Sequence, residues 1–123
     1  MGLIAKRLGK ACINATTVGT ADKIVTNATT KDTIITAIQL YNVHTVAVTV
    51  TLCVVDDNAL AVGTAAATDV IWSYSMAAGR NILLGTEDLK LVLTDTNDTL
   101  QAYASVADKV NIWVWGFTMA DQS

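Results

Sequence analysis

Thr45-Val46-Ala47-Val48-Thr49-Val50-Thr51-Leu52-Cys53-Val54-Val55 is the stretch that decides the fold. Val46, Val48, Val50, Leu52 and Val54 fall on one face of the run, and Thr45, Ala47, Thr49, Thr51 and Cys53 on the other. That period of two belongs to a strand. The run meets Asp56-Asp57-Asn58, residue types that bond their own backbone and tolerate left-handed conformation, so the strand ends there in a turn.

Outward from this strand the pattern repeats. Leu89, Leu91 and Leu93 alternate with Asp88, Lys90 and Thr94. After Asp95-Thr96-Asn97-Asp98, Leu100, Ala102, Ala104 and Val106 stand opposite Thr99, Gln101, Tyr103 and Ser105, which reads as a hairpin. Ala107-Asp108-Lys109 turns the chain into a terminal strand, Val110-Asn111-Ile112-Trp113-Val114-Trp115-Gly116-Phe117-Thr118. Further strands are expected near 22–27 and 33–43, and near 69–76 and 80–85, the last two divided by Ala77-Ala78-Gly79. Residues 59–67 are small and aperiodic and read as a surface loop, and Asn42-Val43-His44-Thr45 as a bend. About eight short strands without a helical period predict an all-β chain: a single antiparallel β-sandwich or jelly roll over 20–119.

Composition agrees. Proline is absent and threonine occurs 18 times against four serines, which favours strands. Hydrophobic residues make up 52% and charged residues 15% of the 123 positions, too apolar for disorder and enough for one core with apolar surface to spare. Thr, Asn and Asp interrupt every apolar run before the ~18 residues of a membrane span, so no membrane partner is expected.

Charge is uneven. Residues 1–31 carry Lys6, Arg7, Lys10, Lys23 and Lys31 against Asp22 alone, while the remainder holds three basic and ten acidic side chains, a body near −7 that repels nucleic acid. The basic start is read as an N-terminal arm over 1–19, either one whose Lys6, Arg7 and Lys10 dock on an acidic surface or a frayed terminus that is merely soluble; residues 120–123 are read as a C-terminal tail. The start lacks the apolar block of a signal peptide, so Cys12 and Cys53 are expected as free thiols, Cys53 packed as a small apolar residue. Asn14, Asn27 and Asn97, each followed two places on by Thr, read as turn residues.

Catalytic chemistry finds little to work with. His44 is the single histidine, no GxSxG elbow accompanies it, and the carboxylates cluster at turns where water keeps them ionised. Asp56-Asp57-Asn58 and Asp95-Thr96-Asn97-Asp98 lack the Gly and Glu of a calcium loop. No catalytic residue, metal site or cofactor is expected. The aromatics say more: Trp113, Trp115 and Phe117 share one face of the last strand while Val110, Ile112 and Val114 occupy the other, so both faces call for cover, the aromatic one by the same chain or by an oligomer or partner interface. Trp72 and Tyr74, beside Val70 and Met76, form a second stripe, read as core.

The order of motifs then resembles a known group. It runs from Thr33-Ile34-Ile35-Thr36-Ala37-Ile38-Gln39-Leu40-Tyr41-Asn42 and Val46-Ala47-Val48-Thr49-Val50-Thr51-Leu52 through Met76-Ala77-Ala78-Gly79-Arg80-Asn81. It closes with Leu91-Val92-Leu93, Asn97-Asp98-Thr99-Leu100-Gln101-Ala102-Tyr103-Ala104 and Val110-Asn111-Ile112-Trp113-Val114. Over about 90 residues this is similar to small β-sandwich virion proteins of tailed double-stranded-DNA bacteriophages. The group often has Pro-Ala-Gly-Lys where this chain has Thr29-Thr30-Lys31-Asp32, and Gly-Asp-Thr where it has Asn97-Asp98-Thr99. The resemblance implies a non-enzymatic capsid decoration, or cement, protein: made in the host bacterial cytoplasm, located on the capsid surface of the virion, bound to the major capsid protein and homo-oligomeric as a trimer or dimer. A small tail, baseplate or fibre-adaptor protein is the alternative it leaves open, and a carbohydrate-binding adhesin module a further one.

Overall fold

A computed structural model describes residues 5–56 and 64–120. Nine strands follow one another in this part of the chain: β1 (Lys6–Cys12), β2 (Asp22–Thr26), β3 (Lys31–Asn42), β4 (Val48–Val55), β5 (Val70–Met76), β6 (Asn81–Gly85), β7 (Leu91–Leu93), β8 (Thr99–Ala104) and β9 (Val110–Ala120). Only two short 3-10 turns, Val18–Thr20 and Ala67–Asp69, interrupt them. The strands form two antiparallel sheets, one ordered β1-β9-β3-β6 with β7 also on β3, the other β2-β8-β4-β5.

The pairing is nested. β4 pairs β5, β3 pairs β6 and β7, β2 pairs β8, and β1 pairs β9, as in one long hairpin. Rolling that hairpin brings β3 beside β9 and β4 beside β8. This is a jelly roll, a two-sheet solution to covering apolar strand faces. Between the sheets lie Ile38, Leu40, Leu52, Met76, Leu100 and Ile112, all but inaccessible, with Val48, Val50, Val110 and Val114. The faces read from alternation are the observed ones for β4, β8 and β9.

Four expectations are corrected. First, the basic start is no free arm: Lys6–Cys12 is an edge strand paired along its length with β9, and Ile13 and Ala15 after it are buried. Leu8 and Ala11 pack on the core, which holds the segment down; residues 1–4 of the expected arm lie outside the described residues. Second, β7 and β8 are no hairpin, because β7 pairs β3 in one sheet and β8 joins β2 and β4 in the other. Buried Asn27 fixes that crossing: its Nδ2 donates to the carbonyls of Lys31 (2.7 Å) and Asp95 (3.0 Å), and the Thr33 hydroxyl donates to its Oδ1 (2.6 Å).

Third, β4 starts at Val48, since residues 43–47 make the crossing from β3. Asn42, fully buried, anchors it: its Nδ2 reaches the carbonyls of Val46 (3.1 Å), Met76 (3.0 Å) and Ala77 (3.2 Å), while the His44 N–H donates to its Oδ1 (2.9 Å). Fourth, Val70 leaves the Trp72 stripe. A bulge at Ile71 pairs Trp72 with Leu52 but Val70 with Cys53, turning Val70 to the opposite face. Met76 and half of Trp72 are core, whereas Tyr74 is exposed. Of the expected loop, 59–63 lie outside the described residues, as do 121–123 of the tail; Ala120 ends β9.

Candidate functional site

The two sheets treat their outer faces differently. On the four-stranded sheet, Cys53 and Val55 are buried with Ala21 and Ala65 in a second small cluster, against which Val18 and Tyr103 pack. Residues 18–21 and 65 thus roof that face from within the chain. Burial there, reinforced by the negative charge of Asp69, pushes the Cys53 thiol up to about 11.

No described segment roofs the outer face of the five-stranded sheet. Its strand register sets the side chains in rows. Cys12, Asn111, Tyr41 and Asn81 form one row, Lys10, Trp113, Gln39 and Leu83 the next, and Arg7, Trp115, Ala37 and Gly85 the third. Phe117, Ile34 and Val92 follow, then Met119 beside Asp32. Trp113 and Phe117 are half-buried, but Trp115 is 37%, Leu83 66% and Val92 54% exposed. The result is an apolar strip along β9, β3, β6 and β7 with Arg7 and Lys10 on its β1 border and Asn111, Gln39 and Asn81 toward one end.

Two bulges make this face. Leu8 is an extra residue against β9, and Thr36 an extra residue in β3 at the same level. The Thr36 hydroxyl donates to the Trp115 carbonyl at 3.3 Å. Gly116 lies between them on the inward side: a Cβ there would sit 2.0 Å from the Ile34 carbonyl oxygen and 2.9 Å from Leu8 Cδ1. The missing side chain lets Leu8 enter the core and Trp115 stay outside.

The structure therefore brings together all six expected site residues on adjacent strands. Arg7 is the register partner of Trp115 and Lys10 of Trp113; Lys6 pairs with Gly116 at the exposed start of β1, and Phe117 lies beyond the paired part of that strand. The second sheet packs on the opposite face of β9, so the aromatic stripe is not covered by it. Ile34, Tyr41, Leu83 and Val92 also belong to this face and were not singled out from sequence. Alternation within 33–43 marks Ile34, but the bulge at Thr36 inverts the count beyond it, which hides Tyr41.

Among the described residues no group of three or more His, Cys, Asp or Glu side chains could hold a metal ion. His44 lies in the crossing between β3 and β4, apart from the aromatic face. What this arrangement can do is bind a surface: aromatic rings supply area at low cost in side-chain entropy, and the two cations orient an acidic counterpart. No protein-family model matches the chain, no curated protein matches it, and no solved structure matches it.

Proposed function

We propose that the protein is a non-enzymatic virion structural protein of a tailed bacteriophage, a decoration protein that docks on the shell of major capsid protein through the outer face of its five-stranded sheet. The observation that carries this reading is the unroofed strip of Trp113, Trp115, Phe117, Ile34, Leu83 and Val92 bordered by Arg7 and Lys10. An exposed apolar patch on one face, when the other sheet is roofed, is the signature of a surface that meets a partner. The jelly-roll order and the motif resemblance point to a shell-building protein, and many copies on a repeating shell multiply a modest contact into firm attachment.

Exposed Trp115 and Tyr41, with Asn111 and Gln39 close by, also favour a second reading, a carbohydrate-binding module, because sugars stack on such rings and need nearby amides. The test is gold-labelled antibody against this chain on native particles, paired with a glycan array on the purified protein. Label distributed over the shell supports decoration and label confined to the tail supports an adaptor. An unlabelled particle with a specific glycan signal would replace both by the carbohydrate reading.

A further inference from the structure

β5 ends the four-stranded sheet, and among the described residues no strand pairs with its outer edge. Exposed sheet edges are ordinarily guarded by charge or proline. β1 is guarded by Lys6, Arg7 and Lys10, and β2 carries Asp22 and Lys23. β5 reads Val-Ile-Trp-Ser-Tyr-Ser-Met, seven residues without a charge, with Val70, Ile71 and Tyr74 each more than a third exposed. β6, joined to it by the tight turn 77–80 and so at the neighbouring edge of the other sheet, reads Asn-Ile-Leu-Leu-Gly and is also uncharged.

The direction of the free backbone groups follows from the ladder. Ser105 N–H donates to the Thr49 carbonyl at 2.9 Å, so Thr49 turns its backbone groups away from β5. Alternation then points those of Val48, Val50 and Leu52 at their β5 partners Met76, Tyr74 and Trp72. The N–H and C=O of Ser73 and Ser75 face the open edge.

We propose that a second copy of this chain pairs with β5 antiparallel about a two-fold axis through Ser73, joining two four-stranded sheets into one of eight. The register is self-complementary. Ser73 exchanges both backbone hydrogen bonds with its symmetry mate, which leaves Tyr74 opposite Trp72 of the other copy as a non-hydrogen-bonded pair, the closer kind, where aromatic side chains gain most. Trp72 and Tyr74 already stack within one chain, ring centroids 5.9 Å apart, so the two copies build a four-ring cluster. No like charges meet, and a closed two-fold contact stops at the dimer. The pairing stands apart from the proposed shell contact, which uses the outer face of the other sheet.

The experiment is sedimentation velocity on the full chain and on Ser73→Lys and Ser73→Glu, with circular dichroism to verify the strand spectrum of each. Ser75→Lys, on the same edge, replaces either variant that does not fold. A dimer for the unsubstituted chain at micromolar concentration, monomers for each charged variant, and dimers again on mixing Ser73→Lys with Ser73→Glu are expected. A monomeric unsubstituted chain, or an oligomer that the Ser73 and Ser75 substitutions leave intact, would overturn the proposal whatever the particle labelling shows.

Discussion

Arg7 stands directly across the β1–β9 pair from Trp115, and Lys10 from Trp113. Residues three apart on a regular strand point to opposite faces, so the two cations share a face only because Leu8 is inserted between them and turns inward against Gly116. The bulge converts a basic stretch at the start of the chain into the charged border of an aromatic strip made near its end.

This placement lets the proposed docking be tested apart from folding. Trp115→Ala removes an outward ring, and the expected cost to stability is about 1–2 kcal/mol, below the roughly 3–5 kcal/mol typical of a fully buried aromatic. Ile112→Ala, on the inward face of the same strand and fully buried, is expected to cost about 2–5 kcal/mol. Shell occupancy should fall with Trp115→Ala and hold with Ile112→Ala at temperatures where that variant stays folded. Thermal melts and particle co-sedimentation check the two together; equal loss of occupancy in both variants would count against the outward face as the docking surface.

Deleting residues 2–10 would not isolate a docking role, because it strips an edge strand from β9 and uncovers Leu8's place on the core. The expected outcome is aggregation, since the bared edge of β9 is long and apolar. The sharper probe is Arg7→Glu with Lys10→Glu, both exposed. The melting temperature should change little, because exposed charges contribute at most about 1 kcal/mol each, while shell binding weakens most at low salt. Binding unchanged at low and moderate salt would remove the two cations from the interface.

How far the sequence is legible follows from particular residues. Alternation shows which side chains point inward on β4, β8 and β9, because a period of two follows from backbone geometry. It does not show which sheet a strand joins: Leu91 and Leu93 face the core as expected, yet β7 pairs β3, and the crossing is decided by Asn27 through hydrogen bonds to residues as far apart as Lys31 and Asp95. Asn42 does the same between β3 and β4. Nor does alternation survive a bulge, so Arg7 and Lys10 were legible as a charge run and Trp113, Trp115 and Phe117 as a stripe, while their common face was not. Gly116 stands inside the aromatic stripe without any local sign of what it serves.

Gly116→Ala is therefore a precise probe of the bulge. A methyl group 2.0 Å from the Ile34 carbonyl oxygen cannot be accommodated unless β9 and β3 separate, and backbone, unlike a side-chain tip, yields little. The expected loss is about 3 kcal/mol or more, larger than the usual penalty for an added methylene in a core. Urea denaturation measures it, and Gly79→Ala is the comparison: nothing lies within 4 Å of its Cβ position, so only the strain of φ +70 is added. Equal costs at the two sites would mean that the close approach at Gly116 does not constrain the sheet.

The roof over the other sheet is testable through Cys53. Its thiol is shifted upward by burial and by Asp69, from 9.0 to about 11. The folded state therefore holds its proton more tightly than the unfolded chain, so the associated stability is fully present below pH 9 and is lost as pH rises toward 11. A shift of this size corresponds to roughly 3 kcal/mol at most. Cys53→Ala has no proton to lose there. The stability difference between the two proteins, followed by denaturation from pH 8 to pH 11, should move in favour of Cys53→Ala over that window, and a pH-independent difference would show that the thiol titrates normally. At neutral pH a thiol reagent should meanwhile label exposed Cys12 at once and buried Cys53 only as the chain unfolds, giving one fast equivalent in the native protein and two in urea.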